Sequence, residues 1–185
     1  YNEWQEILRG NNDSLGWSWN DVLPYFKEME NNSRLDNEYH GTKGSLKVSD
    51  SSYINELSHD FVKTVNSLGV PLTNDFNGKE QRGVGLYQFM NNNGKRSSAA
   101  TAFIDPQKNN PNLHLKLQTR VEKIIIENNK AIGVEYKNKD NKNLKMFADK
   151  EVILASGSFI TPKILMLSGI GNEEELSKIN IKCIT

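Results

Sequence analysis

Apolar positions between residues 54 and 68 recur every three to four residues. Ile54, Leu57, Phe61, Val65 and Leu68 fall on one face of a helix. Gly69 and Pro71 follow as stop signals. Residues 18 to 30 predict an earlier helix. Ser18 and Asp21 have capping-box spacing there, and Trp17 with Val22 fits a hydrophobic staple. Pro24 lies one turn in and predicts a kink or a tight first turn. Residues 31 to 52 read as polar loop, broken by a short alternation at Leu46 and Val48. Residues 84 to 90 predict a strand, and Asn93-Gly94 predicts a tight turn after it.

From Leu113 the period changes to two. Leu113, Leu115 and Leu117 alternate with polar residues and predict a half-buried strand. The β-branched run 121–127, the Asn128-Asn129 turn and the alternation of Ile132, Val134 and Tyr136 predict a hairpin. Residues 144 to 148 predict a further strand, after a solvated Asn-Lys turn. The apolar run 151–155 suits a strand buried on both faces. Ser156-Gly157-Ser158 follows, then Thr161 as an N-cap with Pro162 at the first helical position. That helix carries Ile164, Leu165 and Leu167 and ends at Gly169. The order is strand, small-residue turn, helix. No internal repeat is present.

Composition narrows the function classes. The 185 residues carry no net charge, with 25% charged and 36% hydrophobic residues. Such a balance argues against nucleic-acid binding driven by phosphate contacts. No apolar stretch is long enough to span a bilayer. The single cysteine, Cys183, can form neither an internal disulfide nor a zinc site and reads as a small hydrophobe. No secretory signal is visible. The sequence opens at Tyr1 without a methionine and stops in a strand-like run, and both ends read as cuts in a longer protein.

Few residues advertise chemistry. A strand–turn–helix with small residues gathers backbone N–H groups and a helix dipole at one point, which suits a phosphate or nucleotide. An ordinary strand-to-helix connection also favours small residues, and the chain has neither a GxGxxG nor a GxxxxGK[ST] fingerprint. His40, His59 and His114 show no partner at metal or triad spacing, so none is read as a catalytic base. Arg96, next to the Asn93-Gly94 turn, reads as an exposed turn residue able to meet an anion. Trp4, Trp17, Trp19, Tyr25 and Phe26 read as packing between two short elements. The sequons at Asn12 and Asn31 would matter only in a secreted protein.

Read in order, several segments resemble the glucose–methanol–choline oxidoreductases. These are YNEW and GWSWNDVLPYFKEME, then YHGTKGSLKVSD, DFNGKEQRGVGLYQ and NGKRSSAATAFIDP, then NLHLKLQTRVEKIIIE, and last EVILASGSFITPKILMLSGIG. The resemblance covers essentially the whole chain, and the final segment is its most specific part.

The resemblance implies a mixed α+β and α/β fold. Residues 1–112 would belong to an antiparallel-sheet substrate domain and lid. Residues 113–185 would return to a Rossmann-like FAD-binding domain. It implies FAD as cofactor, a small-molecule alcohol as substrate and hydride transfer from an alcohol C–H to flavin N5. The dinucleotide fingerprint and the C-terminal catalytic histidine of the family would lie outside this chain, so the remainder of the polypeptide would be needed to complete the fold. The transferable cofactor-binding residues are Val121, whose backbone would read the adenine edge, and Ala155, Ser156 and Gly157 in the turn beside the cofactor. Ser156 and Thr161 stand where the family often has alanine and serine. The rivals are a hydroxynitrile lyase on the same fold and a non-catalytic family remnant. The resemblance to secreted members and the sequons lean towards an extracellular protein.

Overall fold

The computed structural model describes residues 1–9 and 16–184. The chain divides into two compact units, Tyr1–Leu113 and His114–Thr185. Among the described residues no helix is long and apolar enough to cross a membrane.

The first unit opens with helix α1 (Asn2–Arg9), which the hydrophobic pattern did not predict, and helix α2 (Trp19–Met29). Two side chains of α1 hold the start of α2. Gln5 Oε1 accepts from the Trp17 N–H at 2.6 Å and Asn2 Oδ1 from the Trp19 N–H at 2.9 Å. Asp21 reaches back as the capping box predicts, accepting from the Ser18 N–H at 3.0 Å. Helix α2 runs on through Pro24, which removes only the bond that its missing N–H would give to the Asn20 carbonyl. The ring contacts Tyr1–Phe26 and Trp4–Trp17, with centroids 5.9 and 6.1 Å apart, join the two helical segments, and Tyr1–Trp4 at 5.4 Å packs within the first.

Strand β1 (Glu30–Asn32) leaves α2 directly and pairs in parallel with β2 (Leu46–Val48). Two glycines allow the chain between them to fold back. A Cβ on Gly41 would collide with the Lys27 carbonyl and one on Gly44 with the Met29 backbone. Helix α3 (Glu56–Ser67) forms where its period predicts. Asn55 caps it by accepting from the Leu57 N–H at 2.9 Å, and Gly69 follows at φ +92°.

The strand expected over 84–90 is reduced to isolated bridges, Leu72 with Val84 and Ser49 with Phe89. Strands β3 (Asn91–Asn92) and β4 (Lys95–Arg96) pair across the predicted turn, with Asn93 and Gly94 at φ +50° and +77°. A π-helical turn, Ala100–Ile104, then runs into a 3-10 turn at Asp105–Gln107. Ser98 and Thr101 cap it reciprocally, each backbone N–H bonding the other's hydroxyl.

The second unit is built on an antiparallel sheet in the order β5 (Arg120–Glu127), β6 (Lys130–Lys137), β7 (Asn143–Phe147). The β5–β6 turn places Asn128 and Asn129 at φ +50° and +60°, which asparagine tolerates better than most residues. Two irregularities interrupt the ladder, at Val121/Lys123 and at Ile125/Ile126.

Helix α4 (Gly157–Leu167) packs on β5, and its Ser168 hydroxyl accepts from the Ile124 N–H at 2.8 Å. A Schellman motif ends the helix. The Ile170 N–H bonds the Leu165 carbonyl and the Gly169 N–H the Met166 carbonyl, both at 3.0 Å. Helix α5 (Glu173–Lys178) completes the unit, and the core gathers Ile124, Tyr136, Ile164 and the fully buried Leu176.

Four expectations fail here. Residues 113–117 and 151–155 form no ladder among the described residues, and Leu117 and Ile153 are exposed. The final run 181–184 also lacks a ladder. A strand needs a hydrogen-bonded neighbour, and alternation alone cannot supply one. Fourth, α4 begins at Gly157, four residues before the expected cap at Thr161, with Pro162 inside it.

Candidate functional site

The sequence places its candidate residues in the second unit. Val121 is half-buried on β5, opposite Tyr136 and beside the first ladder irregularity. Strand β5 is an edge strand of the three-stranded sheet. Ala155, Ser156 and Gly157 form the exposed turn into α4.

Helix α4 lies against strand β5. Ser168 bonds Ile124, while the charge of Lys163, earlier on α4, acts on Glu122, earlier on β5. The hydrogen bond from Arg120 at 2.6 Å, aided by the charges of Arg120, Lys137 and Lys163, holds the Glu122 carboxyl below the usual carboxylate range against an opposing desolvation.

The turn is locally shaped by its own side chains. Thr161 Oγ1, from inside the first turn and a half, accepts from the Ser156 N–H at 3.0 Å. Threonine thus acts at this helix start, but by reaching back rather than as the cap. Gly157 adopts φ +86°, and nothing lies within 4 Å of where its Cβ would be. The first backbone N–H groups of a helix have no carbonyl partner within it and carry the positive end of its dipole. Exposed apolar surface flanks them, with Ile153 78% and Phe159 88% accessible.

A densely bonded, buried polar cluster belongs to the first unit, and the sequence reading missed it. His40 is only 4% exposed. Its Nδ1 lies 3.0 Å from both carboxylate oxygens of Glu30, and its Nε2 lies 3.0 Å from Asp75 Oδ1. Asn32 donates from Nδ2 to Glu30 Oε1 at 2.9 Å and to Gln88 Oε1 at 2.8 Å. The Gly41 N–H donates to Glu30 Oε2 at 3.1 Å.

Burial opposes the charged imidazolium, but the bonds to Glu30 and Asp75 and their charges outweigh it and raise the His40 pKa above 6.5. Both ring nitrogens are engaged, which leaves neither free to accept a substrate proton. Among the described residues no cluster of His, Cys, Asp or Glu has the arrangement to hold a metal ion.

The other sequence candidates are quieter. His59 and His114 are exposed, as is Arg96 on β4. The Cys183 thiol is half-buried and donates to the Gly171 carbonyl at 3.5 Å. Asn31 lies in β1 with its amide donating to the Gly44 carbonyl at 3.0 Å, so a glycan there would compete with a structural bond. The sequon at Asn12 lies outside the described residues.

Comparison with known proteins places the chain in a family. The sequence profile of the family described as GMC oxidoreductase matches residues 1–182. The mitochondrial choline dehydrogenase of Mus musculus is 35% identical over 184 residues, covering 100% of this chain and 30% of that protein. An alcohol dehydrogenase [acceptor] of Pseudomonas putida is 39% identical over 170 residues, covering 91% of this chain and 31% of that protein. The chain thus spans about a third of the length of the curated relatives it matches. Among solved structures, an FAD-dependent oxidoreductase from Chaetomium thermophilum superposes with a TM-score of 0.84 at 30% identity, covering 95% of this chain and 33% of that one. The mixed helix-and-strand fold with small antiparallel sheets is the one the sequence implied. A profile match across nearly every residue, in register with a shared fold, makes this chain a member of the GMC oxidoreductase family.

Proposed function

We propose that this chain is the part of an FAD-dependent oxidoreductase that holds the cofactor through Val121, Ala155, Ser156 and Gly157, in an enzyme that oxidises the CH–OH group of a small alcohol. The observation that carries the reading is the exposed start of α4. Its glycine stands at φ +86° in open space, and the run before it forms no ladder among the described residues, in a chain of this family.

The residues fit a dinucleotide. The available donors are backbone N–H groups, which can approach a phosphate or a ring edge closely where Gly157 carries no Cβ. Ile153 and Phe159 leave apolar surface beside them for a planar group. Edge strand β5 adds backbone groups at Val121 that need no particular side chain. The bond from the Ser156 N–H to Thr161 fixes the turn before any ligand arrives.

When bound, FAD supplies the acceptor for a hydride from the alcohol carbon. This chain's own contribution is binding and orientation. The similarity to proteins named choline dehydrogenase and alcohol dehydrogenase supports the alcohol. The test is flavin content in the purified full-length protein, measured as FAD released on denaturation. Wild type should release FAD in near-stoichiometric amount, and Gly157→Val should release clearly less at equal folded content. Wild type without FAD would overturn the cofactor. Full occupancy in Gly157→Val would overturn the placement at α4.

A further inference from the structure

Helix α3 carries an apolar face that nothing among the described residues covers. Its inner side, Ser58, Val62 and Val65, is half-buried on the first unit. Leu57 and Phe61, one turn apart, are 74% and 64% exposed, and Leu68 just beyond the helix is more exposed still. The face continues into a cleft of about 860 Å³, whose wall opposite α3 includes Tyr87 and Phe89. Its polar rim is internally satisfied. Arg34 Nε bonds both carboxylate oxygens of Asp50 at 3.1 and 2.9 Å, and Arg34 also donates to the Asn74 carbonyl at 3.0 Å.

We infer that this face is an internal seam, covered by an apolar segment of the same polypeptide that lies outside these 185 residues. Three observations point to that occupant. The matched relatives are about three times as long as this chain, so most of a protein of this family lies beyond it. The sheet beside the cleft is unfinished, with β1 and β2 short and Ser49–Phe89 and Leu72–Val84 held by single bridges. Short pieces of that kind gain stability when further strands join them. Finally, the rim charges are paired with each other, so the cleft offers no unmatched charge to a polar ligand or a charged partner. The helix period is thus correct for a buried helix whose covering layer comes from elsewhere in the protein. The inference rests on family membership and does not depend on the flavin site.

The test places the photo-reactive residue p-benzoylphenylalanine at position 61 of the full-length protein (Phe61→p-benzoylphenylalanine). After irradiation the adducts are mapped by mass spectrometry. The expected result is an intramolecular adduct to a peptide outside residues 1–185, formed at the same yield on dilution. An adduct joining two copies would replace this inference with a self-association surface. Adducts confined to residues 1–185, or none at all, would overturn it. Hydroxyl-radical footprinting of the unaltered protein guards against a variant that fails to fold. Leu57 and Phe61 should oxidise several-fold more slowly in the protein than in a free peptide of residues 53–69. Equal rates would overturn the inference, as would protection that appears only when alcohol substrate is added.

Discussion

Removing the His40 ring should damage the first unit more than any change to its aromatic surface. The imidazole sits between two carboxylates, 3.0 Å from Glu30 and 3.0 Å from Asp75. The Glu30 and Asp75 side chains are each only 18% exposed. In His40→Ala they would be left charged, mostly dry and facing the same void. Glu30 would keep the Asn32 amide and the Gly41 N–H, and Asp75 would keep the Asn77 N–H at 3.0 Å. Breaking a buried charge pair by deleting one partner costs about 3–5 kcal/mol, and the remaining donors favour the lower end, about 3 kcal/mol. That is a large share of the roughly 5–15 kcal/mol that holds a typical domain together.

The assay is urea unfolding of the full-length protein for wild type, His40→Ala, Asp75→Asn and the double variant. Asp75→Asn removes one of the stranded charges, so the double variant should lose less than the sum of the single losses. A loss within about 0.5 kcal/mol for His40→Ala would refute the reasoning, because that is the scale of an ordinary surface change. Strict additivity would refute the coupling between the residues.

The same cluster fixes the direction of a pH dependence. The folded pKa of His40 is raised above the unfolded value near 6.5. The stabilisation is therefore complete below the unfolded pKa and is lost as pH rises through the folded one. Wild type should lose its advantage over His40→Ala as pH is raised above neutrality, and an advantage that grows with pH would contradict the assignment. Ser168→Ala should leave the Ile124 N–H, buried on β5, without its partner and cost about 1–3 kcal/mol in the same unfolding assay. Thr161→Val keeps the volume but removes the acceptor for the Ser156 N–H. It should loosen the α4 turn by about 0.5–1.5 kcal/mol, read as weaker FAD retention during dialysis with little change in unfolding of the first unit.

Local signals were legible in the sequence and distant ones were not. The β5–β6 hairpin was readable because its alternation and its Asn128-Asn129 turn are neighbours along the chain. Helix α3 was readable because a 3.6-residue period survives whether or not its partner is present. Helix α5 left a usable signal that periodicity alone overlooks. Asn172 precedes three glutamates, and its side chain accepts from the Glu175 N–H at 3.2 Å.

By contrast, the His40 partners lie 10 positions before it and 35 after it. No local spacing rule could have joined them, and only the fold-back permitted by Gly41 and Gly44 brings Glu30 to the ring. Runs 113–117 and 151–155 have the composition of strands yet find no neighbour among the described residues. Composition reports what a segment could pair as, whereas pairing is a property of the whole sheet. In the candidate site, the small residues of the α4 turn were visible. Its true starting point was not, because Pro162 is a familiar first helical residue that here lies well inside the helix.

Whether this chain belongs to an enzyme that takes hydride from an alcohol onto a bound flavin is tested most directly by anaerobic reduction of the purified full-length protein. The visible bands of oxidised flavin should be present at the start and should bleach when one member of an alcohol panel is added without oxygen. A folded protein with no flavin would contradict the cofactor, and a bound flavin that no alcohol bleaches would contradict the reaction.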